Sequence, residues 1–322
     1  MKRLGLIVGL VVLLAVGAGA FFATTMLGSA TIKQETAFTI APGSTVSAVA
    51  EDLEEQGHIV SADGFVLRAK LLGSSDPIQA GEFMLKPEMN QGEILVLFQS
   101  GDVIRRAITI PEGMPSILVH ERLMAEDLLT GEIEVPPEGS ILPDTYSFER
   151  GQSRQKLIEQ MQSAMDKYLA EAWAKRGDDI AVSTIKEALT LASIVEKESG
   201  KASERGTIAG LYSNRVKSGM LLQADPTIIY PITKGKPLGR RIRQSEIAMV
   251  NGYNTYTRVG LPVGPITNPG RESIAAVLNP EKHNYLFMVA DGKGGHEFNV
   301  TGEAHNAAVE RWYAIRRERG EM

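Results

Sequence analysis

The stretch that most restricts how this chain can fold is residues 183–200, STIKEALTLASIVEKESG. Thr184 is placed to cap a helix, with Glu187 three residues on at the capping-box spacing, and Gly200 stands where a helix usually stops. Ile185, Ala188, Leu189, Ala192 and Val195 share one face, while Leu191 and Ile194 put apolar side chains on the opposite one. A helix apolar nearly all round must be packed on all sides. Its last turn nevertheless carries Glu196, on the face of Ala192 and Leu189, and Glu198, on the face of Ile194 and Leu191. A carboxylate on a buried helix is costly unless it is paired or sits protonated at a cleft. Position alone leaves both readings open: salt-bridged glutamates at a helix C-terminus, or a working acid.

The remaining composition removes several classes. The 322 residues carry a net charge of −5, so no basic footprint points to nucleic acid. There is no cysteine, which excludes disulfides, thiolate chemistry, Cys-ligated zinc and a lipid-modified N-terminal cysteine. Lys2 and Arg3 precede a run, residues 4–22, long enough to cross a bilayer once, and no charged residue appears before Lys33. The charge asymmetry predicts the N-terminus inside and the body outside the cytoplasm. Ala18-Gly19-Ala20 has the small-x-small form of a cleavage site, but the apolar run continues through Phe21 and Phe22, which favours an uncleaved anchor.

Residues 36–104 read as a first folded unit. It holds a strand at 37–40, a helix capped by Ser44 or Thr45 and ended by Gly57, a helix at 61–72, a strand at 78–85, and a helix at 91–99 closed by Gly101. Residues 38–53 are echoed by 108–128 as strand, Pro/Gly turn and helix, which is too few copies for a solenoid. Residues 105–140 form a connecting strand–helix unit and a Pro-, Gly- and Glu-rich linker, and residues 141–319 a larger domain. In that domain helices are expected at 153–175, 183–200 and 203–218, a short one at 272–278, a hairpin of 285–290 with 296–300, and a last helix at 303–319. Between Gly219 and Gly270, MLLQADPTIIYPI and NGYNTYTRVGLPVGPITNPG read as loops dense in Asn, Thr, Tyr, Gly and Pro. Such loops beside a buried carboxylate suit a carbohydrate, whose hydroxyls need paired donors and acceptors.

Other chemistries find no support. Residues 292–295, GKGG, lack P-loop spacing; the two S-x-x-K matches at Ser153 and Ser183 have no KTG or SDN companions; and there is no G-x-S-x-G elbow. The five histidines show no metal-ligand spacing, so neither a metal nor a cofactor is expected. His296, in the closing hairpin, reads either as a strand-surface residue or as a ligand contact.

LASIVEKES, ASER, NRVKSGMLLQADPTIIY, YNTY, GLPVGPITNPG and VADGKGGHEFN, in that order, resemble the endolytic murein transglycosylase family (MltG, or YceG-like). The resemblance implies an α+β protein with a single N-terminal transmembrane helix, a small LysM-like subdomain and a larger mixed α/β catalytic domain. It implies cleavage of nascent peptidoglycan glycan strands with formation of a 1,6-anhydro-muramoyl end, at the outer side of the cytoplasmic membrane, with peptidoglycan synthases as partners. The family's catalytic glutamate falls on Glu198, followed by Ser199 as in other lytic transglycosylases. Glu196, on the more continuous apolar stripe, is the second choice. Gln223, Asp225, Asn254, Tyr256 and Asn268 are the polar loop residues expected around the sugar, although Asp225 and Asn268, each before a proline, fit turn or cap roles equally well. Burial is expected to raise the pKa of the acid to roughly 6–7. Two alternatives stand beside this reading: a muramidase using Glu198 with Asp225 or Glu196, and a membrane-tethered scaffold that binds peptidoglycan without cutting it.

Overall fold

A computed structural model describes residues 9, 11–17, 19, 31–73 and 76–321. The apolar run 4–22 lies largely outside the described residues; among those described, 11–17 are helical, and no helix is long and apolar enough to cross a membrane. The chain is a mixture of helices and short antiparallel strand pairs and divides into two compact units. Of the described residues, those up to 106 with 147–151 make the first, and 107–146 with 152–321 the second.

In the first unit, β1 (Thr36–Ile40), α1 (Val46–Glu55), α2 (Ala62–Leu72), β2 (Gly81–Leu85) and α3 (Gln91–Ser100) follow one another, with β1 antiparallel to β2. Thr45 and Ser61 cap their helices, and Asn90 with Glu93 closes a capping box on α3. The core is aromatic at its centre. Phe38 stacks on Phe98 at 5.6 Å, Phe98 meets Phe83 at 5.0 Å, and Leu53, Phe65, Leu85 and Ile94 surround them. Glu82, buried on the outer side of β2, is neutralised by Arg106 and Arg150.

The strand–turn–helix echo of residues 38–53 and 108–128 is present in the structure. β3 (Arg105–Thr109) leads through a turn into α4 (Ser116–Met124), and Gly43 and Gly113 occupy the left-handed region at matching places. β3 pairs with β4 (Thr145–Glu149), a strand not read from the sequence, whose alternation buries Tyr146 and Phe148.

The second unit is built around the helix expected at 183–200. After α5 (Arg154–Ala174) comes α6 (Ile185–Glu198), opened by the Thr184–Glu187 capping box. Every residue of α6 from Thr190 to Val195 is buried, whereas Ile185, expected on the packed face, is exposed at the first turn. α6 packs on α7 (Arg205–Lys217) and α10 (Arg271–Leu278). Leu191, Ile194, Val195, Ile208, Leu211, Ile274 and Val277 make the common core, each contributing about 1.5–3 kcal/mol by burial. The polar residues inside α6 are satisfied locally: Thr190 donates to Lys186 O, and Ser193 donates to Thr190 O while accepting from the Ile266 amide.

One correction falls in the first segment read as loop, and a further single turn lies between the two loop segments. α8 (Pro226–Thr233) is helical, with Pro226 at the first position, where the missing N–H costs nothing, and Pro231 in the last turn. A single turn, α9 (Gln244–Ile247), is opened by Glu246 bonding back to the Arg243 amide. β5 (Phe287–Ala290) and β6 (His296–Asn299) form the expected hairpin, and α11 (Gly302–Glu318), capped by Thr301, ends the described chain.

Phe98 touches both other rings of the first core. Phe98→Ala is expected to destabilise the first unit by about 3–5 kcal/mol, read as lost hydrogen-exchange protection of the β1–β2 amides.

Candidate active site

The buried helix α6 ends at Glu198, and what its last turn meets defines the site. A cavity of about 220 Å³ is walled by Glu198, Tyr212 and Arg215 of α6 and α7, by Gln223 and Asp225 from the loop before α8, by Tyr256, and by the hairpin residues Met288 and His296. It is smaller than the ~300–1,000 Å³ typical of ligand pockets, a size for the reacting unit of a ligand rather than all of it. Larger hollows exist, about 810 Å³ in the first unit and about 430 Å³ between α4 and α8. Neither brings a buried carboxyl, a phenol and a guanidinium together.

Glu198 is half-buried, and its carboxyl is pushed up to about 7. Desolvation is the largest cause and the negative charge of Asp225 the next; Arg215 pulls the other way without prevailing. Burial likewise raises the phenol of Tyr212, with the charge of Glu198 adding to it, and holds Arg215 below the ordinary guanidinium value. Arg215 is fixed by main-chain carbonyls. It donates to Leu286 O at 2.6 Å, Leu222 O at 2.7 Å and Leu221 O at 3.3 Å, and lies over the Phe287 ring.

The loop that carries Gln223 and Asp225 is locked to the one that carries Tyr256. The hydroxyls of Thr227 and Thr255, both fully buried, bond at 2.8 Å; Thr255 Oγ1 accepts from the Ala224 amide and Thr255 O from the Gln223 amide. Gln223 is held at a φ of 51°, a left-handed conformation uncommon for a residue with a side chain. The Tyr256 hydroxyl donates to Asp225 Oδ1 at 2.6 Å, so Asp225 spends one oxygen on Tyr256 rather than on capping α8.

Of the sequence-predicted residues, Glu198, Gln223, Asp225 and Tyr256 meet at this cavity. Asn254 and Asn268 do not. Asn254 is fully buried; its amide donates to Ile247 O and Met249 O, and its Oδ1 accepts from the Tyr256 amide. Asn268, also fully buried, donates to Met114 O and Ser116 Oγ and accepts from the Ile141 amide. Loop density in asparagine was the signal for sugar contacts, and these two are used up holding main chain in place. Glu196 points elsewhere, its Oε2 accepting from the Gly270 amide at 2.9 Å. Sequence reasoning missed Tyr212 and Arg215; their spacing on α7, three apart and therefore on one face, was the available clue. Among the described residues, no group of three or more His, Asp or Glu side chains is placed to hold a metal ion.

A carboxyl poised near neutrality at a polar cavity is the equipment of general acid–base chemistry. The chain belongs to the YceG-like family, whose model matches residues 38–311. It is 29% identical to an endolytic murein transglycosylase of Bacillus subtilis, over 87% of this chain and 85% of that protein. A Streptococcus pneumoniae protein of the same name is 28% identical over 82% of this chain, and only 56% of its own length is covered. The crystal structure of a YceG-like protein from Listeria monocytogenes is similar with a TM-score of 0.54 and 28% identity, covering 86% of this chain and 99% of that one.

Two measurements test the site. The unfolded Glu198 carboxyl titrates near 4.5 and the folded one near 7, so the folded state binds more protons between those values and loses stability as pH rises through that window. Glu198→Gln removes this loss. It is expected to match the wild type at about pH 4 and to exceed it in denaturant midpoint at about pH 8, the gap opening between those pH values. Asn254→Ala, which strands the carbonyls of residues 247 and 249, is expected to cost about 2–4 kcal/mol in denaturant unfolding.

Proposed function

We propose that this protein is an endolytic lytic transglycosylase of peptidoglycan, cutting nascent glycan strands between N-acetylmuramoyl and N-acetylglucosaminyl units. The observation that carries the reading is Glu198, held near neutrality at the end of a buried helix and facing a polar cavity. The names of the Bacillus and Streptococcus relatives point to the same activity.

One carboxyl suffices for this reaction. Protonated Glu198 gives its proton to the glycosidic oxygen, the bond from that oxygen to the muramoyl C1 breaks, and the oxygen leaves as the hydroxyl of the departing sugar. The Glu198 carboxylate then takes the proton of the muramoyl C6 hydroxyl as O6 bonds to C1, closing the 1,6-anhydro ring and restoring the acid. No water is consumed, and the attack gains from being intramolecular. A hydrolase would normally need a second carboxyl. Asp225 lines the same cavity, which makes a muramidase the second reading; its Oδ1 is engaged by Tyr256. In the preferred mechanism Asp225, with Tyr256 and Gln223, contacts the sugar, and its charge adds to desolvation in raising the pKa of Glu198, while Glu196 is structural.

The run 4–22 is the single membrane anchor, with the body on the outer side of the cytoplasmic membrane. Residues 36–104, supported by the β1-α1-α2-β2 order, form a LysM-like subdomain, 105–140 connect, and 141–319 are the catalytic domain. Peptidoglycan synthases are the partners proposed, since they make the strands to be cut.

The test is mass spectrometry of glycan products from uncrosslinked peptidoglycan. The wild type is expected to yield 1,6-anhydro-muramoyl ends, and Glu198→Gln to lower the rate about 10²–10⁴-fold while Glu196→Gln stays active. Reducing ends would make the protein a muramidase. Binding without any cleavage would leave a scaffold.

A further inference from the structure

His296 opens β6 and lines the Glu198 cavity, yet the mechanism above gives it nothing to do. Its surroundings are built with care. The ring Nδ1 lies 2.8 Å from Glu204 Oε2, and the His296 amide donates to the other oxygen of the same carboxylate at 3.2 Å. Glu204 thus grips the residue at two points. A carboxylate only accepts, so in the neutral ring Nδ1 carries the hydrogen and Nε2 is left with its lone pair.

The hairpin turn enforces this placement. Asp291 Oδ1 accepts from the Lys293 and Gly295 amides, the Asp291 amide donates to Gly295 O, and Gly292 and Gly294 take φ values of 73° and 83°. At Gly295 a Cβ would run into Glu204 Oε1, so the glycine is what lets the carboxylate reach the next residue. Lys201 lies 3.9 Å from Glu204 and 3.8 Å from Asp291, tying both carboxylates to the entry of α7. Nε2 has no hydrogen-bond partner among the described residues. An imidazole in the wall of a cavity, held in one tautomer by a carboxylate and with its other nitrogen unbonded, is prepared to accept a hydrogen bond.

We infer that His296 is a substrate-contacting residue whose Nε2 accepts a hydrogen bond from a glycan hydroxyl in the Glu198 cavity, and that Glu204 positions it by fixing the tautomer. The inference deepens the glycan-cleaving reading and rests on it. The contact orients the sugar against Glu198; it does not replace Glu198 as the acid.

The experiment has two arms. In the first, Glu198→Gln protein labelled with ¹⁵N at histidine is titrated with uncrosslinked peptidoglycan strands. Nδ1 of His296 is expected to show a protonated-nitrogen shift before addition, and Nε2 is expected to move on addition. An unmoved Nε2 overturns the inference whether or not the wild type cleaves. A moved Nε2 with no cleavage by wild type upholds the contact and sinks the lytic reading instead. In the second arm, His296→Phe keeps a ring but no acceptor and is expected to lose about 5–10-fold in kcat/KM, while His296→Gln, which restores an acceptor, regains part of it. Equal loss in both variants with an unchanged denaturation midpoint would count against an accepted hydrogen bond.

Discussion

The organisation of the second unit follows from one constraint: α6 is packed on every side over its last two turns before Glu196. At the end of a helix so enclosed Glu198 is half-buried, and the helix dipole offers its charge no help there. Glu198 therefore sits where its charged form is penalised by desolvation and by Asp225 across the cavity. The same packing that stabilises α6 against α7 and α10 makes its terminal carboxyl a weak acid. The stability of the helix and the raised pKa of its last carboxyl have a common origin here, and loosening the core around Ile194 and Leu191 would be expected to return Glu198 toward an ordinary glutamate.

Much of the framework was legible in the sequence because it is written locally. Caps at Thr45 and Thr184 and stops at Gly57, Gly101 and Gly219 are short-range chemistry, and the helices they bound begin and end close to where those residues predict. β4 was not legible, since TYSFE becomes a strand only by pairing with β3, some 40 residues earlier in sequence. α8 was obscured by its own prolines, which usually break helices but here stand in the first and last turns. In the site, the pattern of the helix alone leans to Glu196, and only the family resemblance points to Glu198. Asn254 and Asn268 could not be assigned, because a buried asparagine that satisfies main chain and an exposed one that binds sugar look alike in one dimension.

The polar loops after Gly219 have a division of labour that the sequence does not display. Thr227 and Thr255 join two loops through buried hydroxyls, Asn254 sets the start of the Tyr256 residue, and Tyr256 in turn restrains Asp225. Gln223 and Tyr256, which face the cavity, are thus backed by Thr255 and Asn254, which do not, and that is how a site made of loops attains definite geometry.

Arg215 illustrates a further property of this design. Its guanidinium spans from α7 to the strand entering the hairpin and to the loop before Gln223, and every bond it makes is to a main-chain carbonyl. Main chain is the same whatever the side chain, so the brace places no demand on which side chains occupy positions 221, 222 and 286 beyond their fit to the surrounding core. Side chains at those three positions can therefore be exchanged, within what the surrounding core accepts, while the tie between helix, loop and hairpin stays intact.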